Sequence, residues 1–264
     1  MVHLEIMKKN QTVKKVLTFF AHPDDETMFL GGTFAYLASR GVEVHFICAT
    51  RGEGGEMGNP PICSREDLGL IRESELRCAV EKLGGTSLQF AGYKDPVVGP
   101  EGELYPFTDD LEPLAEYLKR EIQSINPQVI ITHGSAGEYG HPGHIQAHQA
   151  VMLALKDIPD YSGSVYSPAY LSRATKAYAP EPDIKLDIFS WKEQKTKAAL
   201  CHRSQNDLFI RNGSARAGRQ VTIPEMIRSE EALCQIIPAR TGQGQDPFIE
   251  LLSEISAPDI SNPE

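Results

Sequence analysis

Short apolar runs alternate along the chain with stretches whose apolar residues recur every three or four positions. Residues 16–21 (VLTFFA) are a continuous apolar run and residues 27–39 (TMFLGGTFAYLAS) follow at helical spacing, which predicts strand, turn, helix. The pattern repeats. Residues 42–50 (VEVHFICAT) are strand-like, a glycine-rich loop follows, and residues 70–83 (LIRESELRCAVEKL) are helical and closed by Gly84 and Gly85. Residues 87–91 predict a third strand, and residues 109–125 an amphipathic helix with Thr108, Asp109 and Asp110 as capping candidates and Asn126-Pro127 as its stop. Residues 129–132 (VIIT) read as a strand buried on both faces, and residues 143–155 as a helix. Alternation of this kind predicts βαβ units, hence an α/β fold with a doubly wound, mostly parallel sheet and helices on both faces. In such sheets ligands bind beyond the carboxyl ends of the strands.

The signal weakens over residues 162–188, where strand-like pieces such as 185–189 are short, before a helix-like stretch at 191–202. From Arg203 onward Gly, Arg and polar residues mix, with a last amphipathic piece at 248–255. There is no internal repeat and no long low-complexity linker, so a single domain over residues 1–264 is expected, with 206–264 as a C-terminal region. A chain of 264 residues, 41% hydrophobic, can bury a sizeable core. Its formal charge of −10 repels phosphate backbones and anionic lipid, which disfavours nucleic acid and membrane surfaces as partners. Cys48, Cys63, Cys78, Cys201 and Cys234 are odd in number, widely spaced and without a CxxC pair, so reduced thiols are expected, not a disulfide framework or a thiolate zinc site. With no signal-peptide core in the first 15 residues and no apolar stretch of spanning length, a cytoplasmic location without a membrane span is expected.

Candidate chemistry gathers where strands give way to helices. His22-Pro23-Asp24-Asp25-Glu26 ends the first strand, and a histidine and a carboxylate three positions apart at such a turn can converge on one cation. Asp24 and Asp25 could instead simply cap the helix. The strand at 129–132 leads through His133 and a loop to His141-Pro142-Gly143-His144, again at the start of a helix. Both His-Pro turns then lie on one rim of the sheet. His3 and His45 are expected to be ordinary solvated or hydrogen-bonded histidines.

AHPDDE at residues 21–26, TRGEGGE at 50–56 and EYGHPGHIQAH at 138–148 resemble the PIG-L or LmbE-like family of zinc-dependent N-deacetylases. IRESEL around Arg72, and CHRSQ at 201–205, are similar to further family segments. The resemblance implies a Rossmann-like sheet and a zinc ion held by His22, Asp25 and His144, with Fe2+ or another divalent ion as a substitute. It implies Asp24 as general base, His141 as the group that stabilises the oxyanion or protonates the amine, and Arg72 as a substrate-binding residue. The reaction it implies is removal of an acetyl group from an N-acetylglucosamine-type amide, the partner being a small N-acetylated amino sugar. A homo-oligomer is compatible with it. Many members read His-Pro-Asp-His where this chain has Gly143, so the charge of His141 is open.

Three protein ligands leave a metal one open position for water, whose pKa falls to about 7, and an adjacent carboxylate can take the water proton. Other readings use the same residues. His144 and His148 stand at the spacing of a two-histidine metal face. Two histidines and a carboxylate also serve non-haem iron oxygenases. The glycines of residues 52–58 suggest a nucleotide loop, although their spacing fails GxGxxG. A non-catalytic metal or ligand-binding α/β protein is the remaining alternative. Arg51 in the glycine-rich loop is a candidate for the substrate pocket.

Overall fold

The computed structural model describes residues 13–169, 181–238 and 246–256, so His3 lies outside the described residues. A seven-stranded sheet is built from β1 (Lys15–Phe20), β2 (Glu43–Thr50), β3 (Ser87–Tyr93), β4 (Val129–Thr132), β5 (Ser164–Pro168), β6 (Ile184–Asp187) and β7 (Glu230–Ile237). Its spatial order is β3-β2-β1-β4-β5-β7-β6. Pairings among β1 to β5 are parallel, whereas β7 runs antiparallel to both β5 and β6. The helices are α1 (Asp25–Ser39), α2 (Leu68–Leu83), α3 (Glu112–Ile125), the short turn α4 (Gly137–Gly140), α5 (Pro142–Lys156), α6 (Lys192–Cys201), α7 (Asn206–Ala217), α8 (Ile223–Met226) and α9 (Pro247–Leu252).

Period-two alternation divides the core. Val16 and Phe20 of β1 with Val44, Phe46 and Cys48 of β2 pack beneath α1, α2 and α6. Leu17, Phe19, Ile47 and Ala49 face the other way, toward α3 and α5. Helices therefore cover both faces, as the continuous apolar runs of the strands require.

After β3 the chain returns to place β4 against the free side of β1, with Val16 opposite Val129 and Phe19 opposite Thr132. This is the point where strand order reverses, and the crevice at such a point is where an α/β sheet binds its ligand. His22 follows β1 by two residues and His133 follows β4 directly. The residues beyond 206 also enter the sheet, since β7 sits between β5 and β6.

β7 also supports the helix that opens the site. α1 is broken at Leu30, whose φ of −134° and ψ of 21° are not helical. The amide N–H groups of Gly32 and Thr33 donate instead to the Glu231 carboxylate at 2.8 and 2.7 Å. Lys195 of α6 pairs with the same buried carboxylate at 2.7 Å. Among the described residues no helix is long and apolar enough to cross a membrane.

The expectation of reduced cysteines is corrected at one pair. Cys78 of α2 and Cys201 at the end of α6 form a disulfide, with Cα atoms 5.8 Å apart across a sequence separation of 123. Nothing in their spacing signals it, because packing of α2 on α6 brings them together. Cys48, Cys63 and Cys234 are free thiols.

Candidate metal centre and active site

Asp25 lies at the middle of the site. Its Oδ2 accepts the His22 backbone N–H at 2.9 Å, which fixes the carboxylate at the strand-to-helix turn. From there Oδ2 is 3.4 Å from His22 Nδ1 and Oδ1 is 3.3 Å from His144 Nε2. Each separation is close to the edge of a tetrahedron drawn with zinc–ligand bonds of about 2.0–2.1 Å. The two involve different carboxylate oxygens, however, and His22, Asp25 and His144 do not form one group with single ligand atoms within 4.8 Å. Burial alone would raise the Asp25 carboxyl, but His144 and His133 hold it well below the usual range.

Both imidazoles have a carboxylate behind them. His144 Nδ1 donates to Glu138 Oε2 at 2.7 Å, and its Nε2 is fully buried without a hydrogen-bond partner. His22 Nε2 stands 3.3 Å from Asp95 Oδ1, which leaves Nδ1 on the Asp25 side. An outer carboxylate that fixes the ring and turns a lone pair inward is the arrangement around metal-ligating histidines. A buried nitrogen with no protein partner fits a divalent ion there.

One ligand atom each from His22, His141 and His144, and one each from Asp25, His133 and His144, form two overlapping groups within 4.8 Å. His133 is engaged at both ring nitrogens, and its Nε2 also stands 3.3 Å from Asp25 Oδ2. The Ala21 amide donates to its Nε2 at 3.0 Å, and its Nδ1 donates to Glu138 Oε2 at 2.8 Å. His148 is also engaged elsewhere, with Nδ1 2.9 Å from the His133 carbonyl, and it belongs to neither group. The two-histidine face of His144 and His148 is therefore not assembled.

Asp24 occupies a strained backbone, φ 111° and ψ −28°, and makes no side-chain cap on α1. Helix capping thus does not account for it. Arg72, buried on α2, donates to Asp24 Oδ2 at 2.9 Å and to the carbonyls of Pro23 and Gly52. Burial pushes the Asp24 carboxyl up to about 6, against the Arg72 guanidinium and with Asp25 beside it. The glycine-rich loop follows from the same contact. Gly52 has φ 65°, and a Cβ there would collide with the Arg72 guanidinium, so its space is taken by an arginine and not by a nucleotide phosphate.

His141 precedes α5, and the Gly143 amide donates to its Nδ1 at 3.1 Å. In the neutral ring the proton is then on Nε2. Burial, with His22 and His144 nearby, pushes this imidazole down to about 3. A Cβ on residue 143 would stand 3.2 Å from the His22 ring and 3.3 Å from His141 Nδ1.

His22, Asp24, Asp25, Arg72, Asp95 and His141 line one cleft of about 1060 Å3, whose walls include Tyr139, Val97, Tyr105, Phe209 and Met226, while His144 is fully buried beside Asp25. The structure brings His22, Asp24, Asp25, Arg72, His141 and His144 together. It does not bring Arg51, which is half-exposed, pairs with Glu73 at 2.7 Å and is absent from the cleft lining. Asp95, Glu138 and His133 were not anticipated from sequence as site residues. Glu138 alone left a local sign, an acidic residue inside a Gly-flanked loop between two site histidines, and it is held at φ 57°.

Residues 17–155 match the family described as PIG-L, GlcNAc-PI de-N-acetylase. The chain belongs to the PIG-L family. The 1D-myo-inositol 2-acetamido-2-deoxy-alpha-D-glucopyranoside deacetylase of Acidothermus cellulolyticus is 37% identical over 170 residues, which is 60% of this chain and 58% of that protein. The "Probable N-acetyl-alpha-D-glucosaminyl L-malate deacetylase 2" of Bacillus anthracis is 32% identical over 195 residues, 73% of this chain and 81% of that one. This PIG-L chain thus spans little more than half of the first relative and most of the second. Among solved structures, the N,N'-diacetylchitobiose deacetylase of Pyrococcus horikoshii aligns with TM-score 0.60 and 20% identity, over 89% of this chain and 88% of that one. The 4-carboxy-2-hydroxymuconate hydratase GalB of Pseudomonas putida aligns equally well, TM-score 0.60 at 21% identity over 88% and 99%. One fold thus carries different reactions, and its chemistry must be argued from the site.

Proposed function

We propose that the chain is a divalent-metal-dependent hydrolase that removes the acetyl group from an N-acetylglucosamine-type amide, with His22, Asp25 and His144 holding a zinc ion. The observation that carries this reading is the buried, unpartnered Nε2 of His144, aimed at the Asp25 carboxylate while Glu138 holds the other side of the ring. Bound there, a divalent ion would acidify water and polarise a carbonyl group.

The residues around that site divide the remaining work. Asp24 has a carboxyl raised to about 6 and no capping duty, so it can take a proton from water and return it to the departing nitrogen near neutral pH. His141, neutral and with Nε2–H available, donates a hydrogen bond to the amide oxygen as charge develops on it. Arg72 orients Asp24, since its hydrogen bonds run to Asp24, Pro23 and Gly52. The walls formed by Tyr105, Tyr139 and Phe209 suit a sugar ring and whatever is linked to it.

The named relatives act on acetylated glucosaminides linked to inositol or malate, which supports an amino-sugar amide as the substrate here. The test is to incubate zinc-loaded protein with N-acetylglucosaminyl inositol, N-acetylglucosaminyl malate and N,N'-diacetylchitobiose, and to measure free amine. Turnover of at least one is expected, and Asp24→Asn should lower it about 10²-fold or more while keeping zinc and fold. Release of amine at the parent rate by Asp24→Asn would remove Asp24 from the mechanism. Oxygen consumption without amine release would favour the oxygenase reading of the same ligand set.

A further inference from the structure

Asp24 has a strained backbone, φ 111° and ψ −28°, and its side chain accounts for only half of what restrains it. The other half is the Glu26 carboxylate. Glu26 Oε2 accepts the Asp24 amide N–H at 3.0 Å, so the carboxylate holds the backbone at the residue whose φ is 111°. Glu26 is buried, and its second oxygen is held from behind. Thr27 Oγ1 donates to Oε1, and His202 Nε2 stands 3.1 Å from it.

His202 is itself fully buried, and its Nδ1 has no hydrogen-bond partner. A buried imidazole with one idle nitrogen is a poor stability device, because the desolvation of that nitrogen is uncompensated. Its surroundings hold it firmly nonetheless. Ser204 donates to Glu75 of α2 through both its amide and its hydroxyl, at 2.8 and 2.7 Å. Gln205 reaches the Glu56 carbonyl, and the preceding Cys201 is bonded to Cys78. The segment that presents His202 lies beyond residues 17–155, where the family match ends.

We infer that His202, acting through Glu26, is a positioning residue for Asp24: it fixes the Glu26 carboxylate that holds the Asp24 amide, and so sets where the base points. Arg72 fixes the carboxylate and His202 with Glu26 fixes the backbone. This rests on the reading of Asp24 as general base.

The test compares His202→Leu with His202→Gln, whose side-chain N–H2 can replace the imidazole Nε2–H as donor to Glu26. In zinc-loaded protein, with the N-acetylglucosaminyl conjugate turned over in the preceding assay, His202→Leu should lower kcat roughly tenfold to a hundredfold, the worth of a misplaced catalytic group. KM and zinc content should stay put. His202→Gln should restore most of the rate. In an Asp24→Asn background His202→Leu should cost almost nothing further, because groups that act as a unit are not additive.

Independently of turnover, hydrogen exchange at the Asp24 amide should speed up in His202→Leu and slow again in His202→Gln. An equal loss of kcat in the parent and Asp24→Asn backgrounds, or unchanged protection of the Asp24 amide, would overturn the inference and leave His202 a packing residue. Failure of the deacetylase reading looks different. It would show as no amine release from any conjugate while amide protection still follows residue 202, and the positioning contact would stand.

Discussion

Four histidines around Asp25 differ in which ring nitrogen is engaged, and that difference assigns their work. His144 has an inward nitrogen free, His133 has both engaged, His22 is turned by Asp95, and His141 has its Nδ1 closed by the Gly143 amide. For His141 the consequence is a donor that needs no positive charge. Protonation would cost the Gly143 hydrogen bond and add a cation beside His22 and His144. His141→Gln, which keeps an N–H where Nε2–H was, should therefore retain much of the rate, whereas His141→Ala should lose about 10²-fold or more, as when an oxyanion donor is removed. Measured pH profiles of parent and His141→Gln should share one alkaline limb. If Gln proves as poor as Ala, and the alkaline limb goes with the imidazole, His141 acts as an imidazolium acid instead. By the same logic Gly143→Asp should leave that limb in place. The residues legible in sequence were those that share a turn, His22 with Asp24 and Asp25, and His141 with His144. Asp95, Glu138 and Glu26 escaped because an outer carboxylate is defined by what the fold sets behind a ring, which spacing does not encode. Arg51 misled for the opposite reason: its neighbour Gly52 is at the site, but its own side chain turns to Glu73.

At the scale of elements, strands buried on both faces and the helices between them were readable because each follows one period over its whole length. β1, β2, β4, α1, α2 and α5 fall within a few residues of their expected bounds. β5 and β7 were not readable as strands, and α7 was not readable as a helix. β7 joins the sheet antiparallel between β5 and β6 and is buried on successive residues, and α7 is nearly all polar or half-exposed, so neither carries a clean period. The disulfide is of the same kind, a product of α2 packing on α6. By constraining a long loop of the unfolded chain such a bond contributes about 2–5 kcal/mol. Cys201→Ser, or treatment with a thiol reductant, should therefore lower the melting temperature, while Cys63→Ser should leave it unchanged. An unaltered melting point in Cys201→Ser would mean that the bond adds nothing to stability. Because α2 also carries Arg72 and the segment after α6 carries His202, the reduced protein should lose kcat before it loses zinc.

At the scale of the molecule, the candidate ligands come from two distant parts of the sequence joined only at the crevice between β1 and β4. His22 and Asp25 follow β1, and His144 opens α5 after β4. The parallel order could be read from the alternation of elements, but the meeting of these two rims depends on β4 returning beside β1, which topology alone supplies. An ion held by both rims binds the folded chain and not the unfolded one, so it must stabilise the whole domain by mass action, about 2.7 kcal/mol at a free concentration one hundred times Kd. Removing metal with a chelator should lower the melting temperature, and adding zinc should restore it. His144→Ala should melt at one temperature with or without zinc, because the ligand from the second rim is gone. His148→Ala should keep the zinc-dependent rise, since His148 Nδ1 faces the His133 carbonyl and not the site. His141→Ala should keep it as well, which separates Asp25 from His141 as the third ligand. A rise that survives in His144→Ala but vanishes in His148→Ala or His141→Ala would move the metal onto a different ligand set, and with it the base assigned to Asp24.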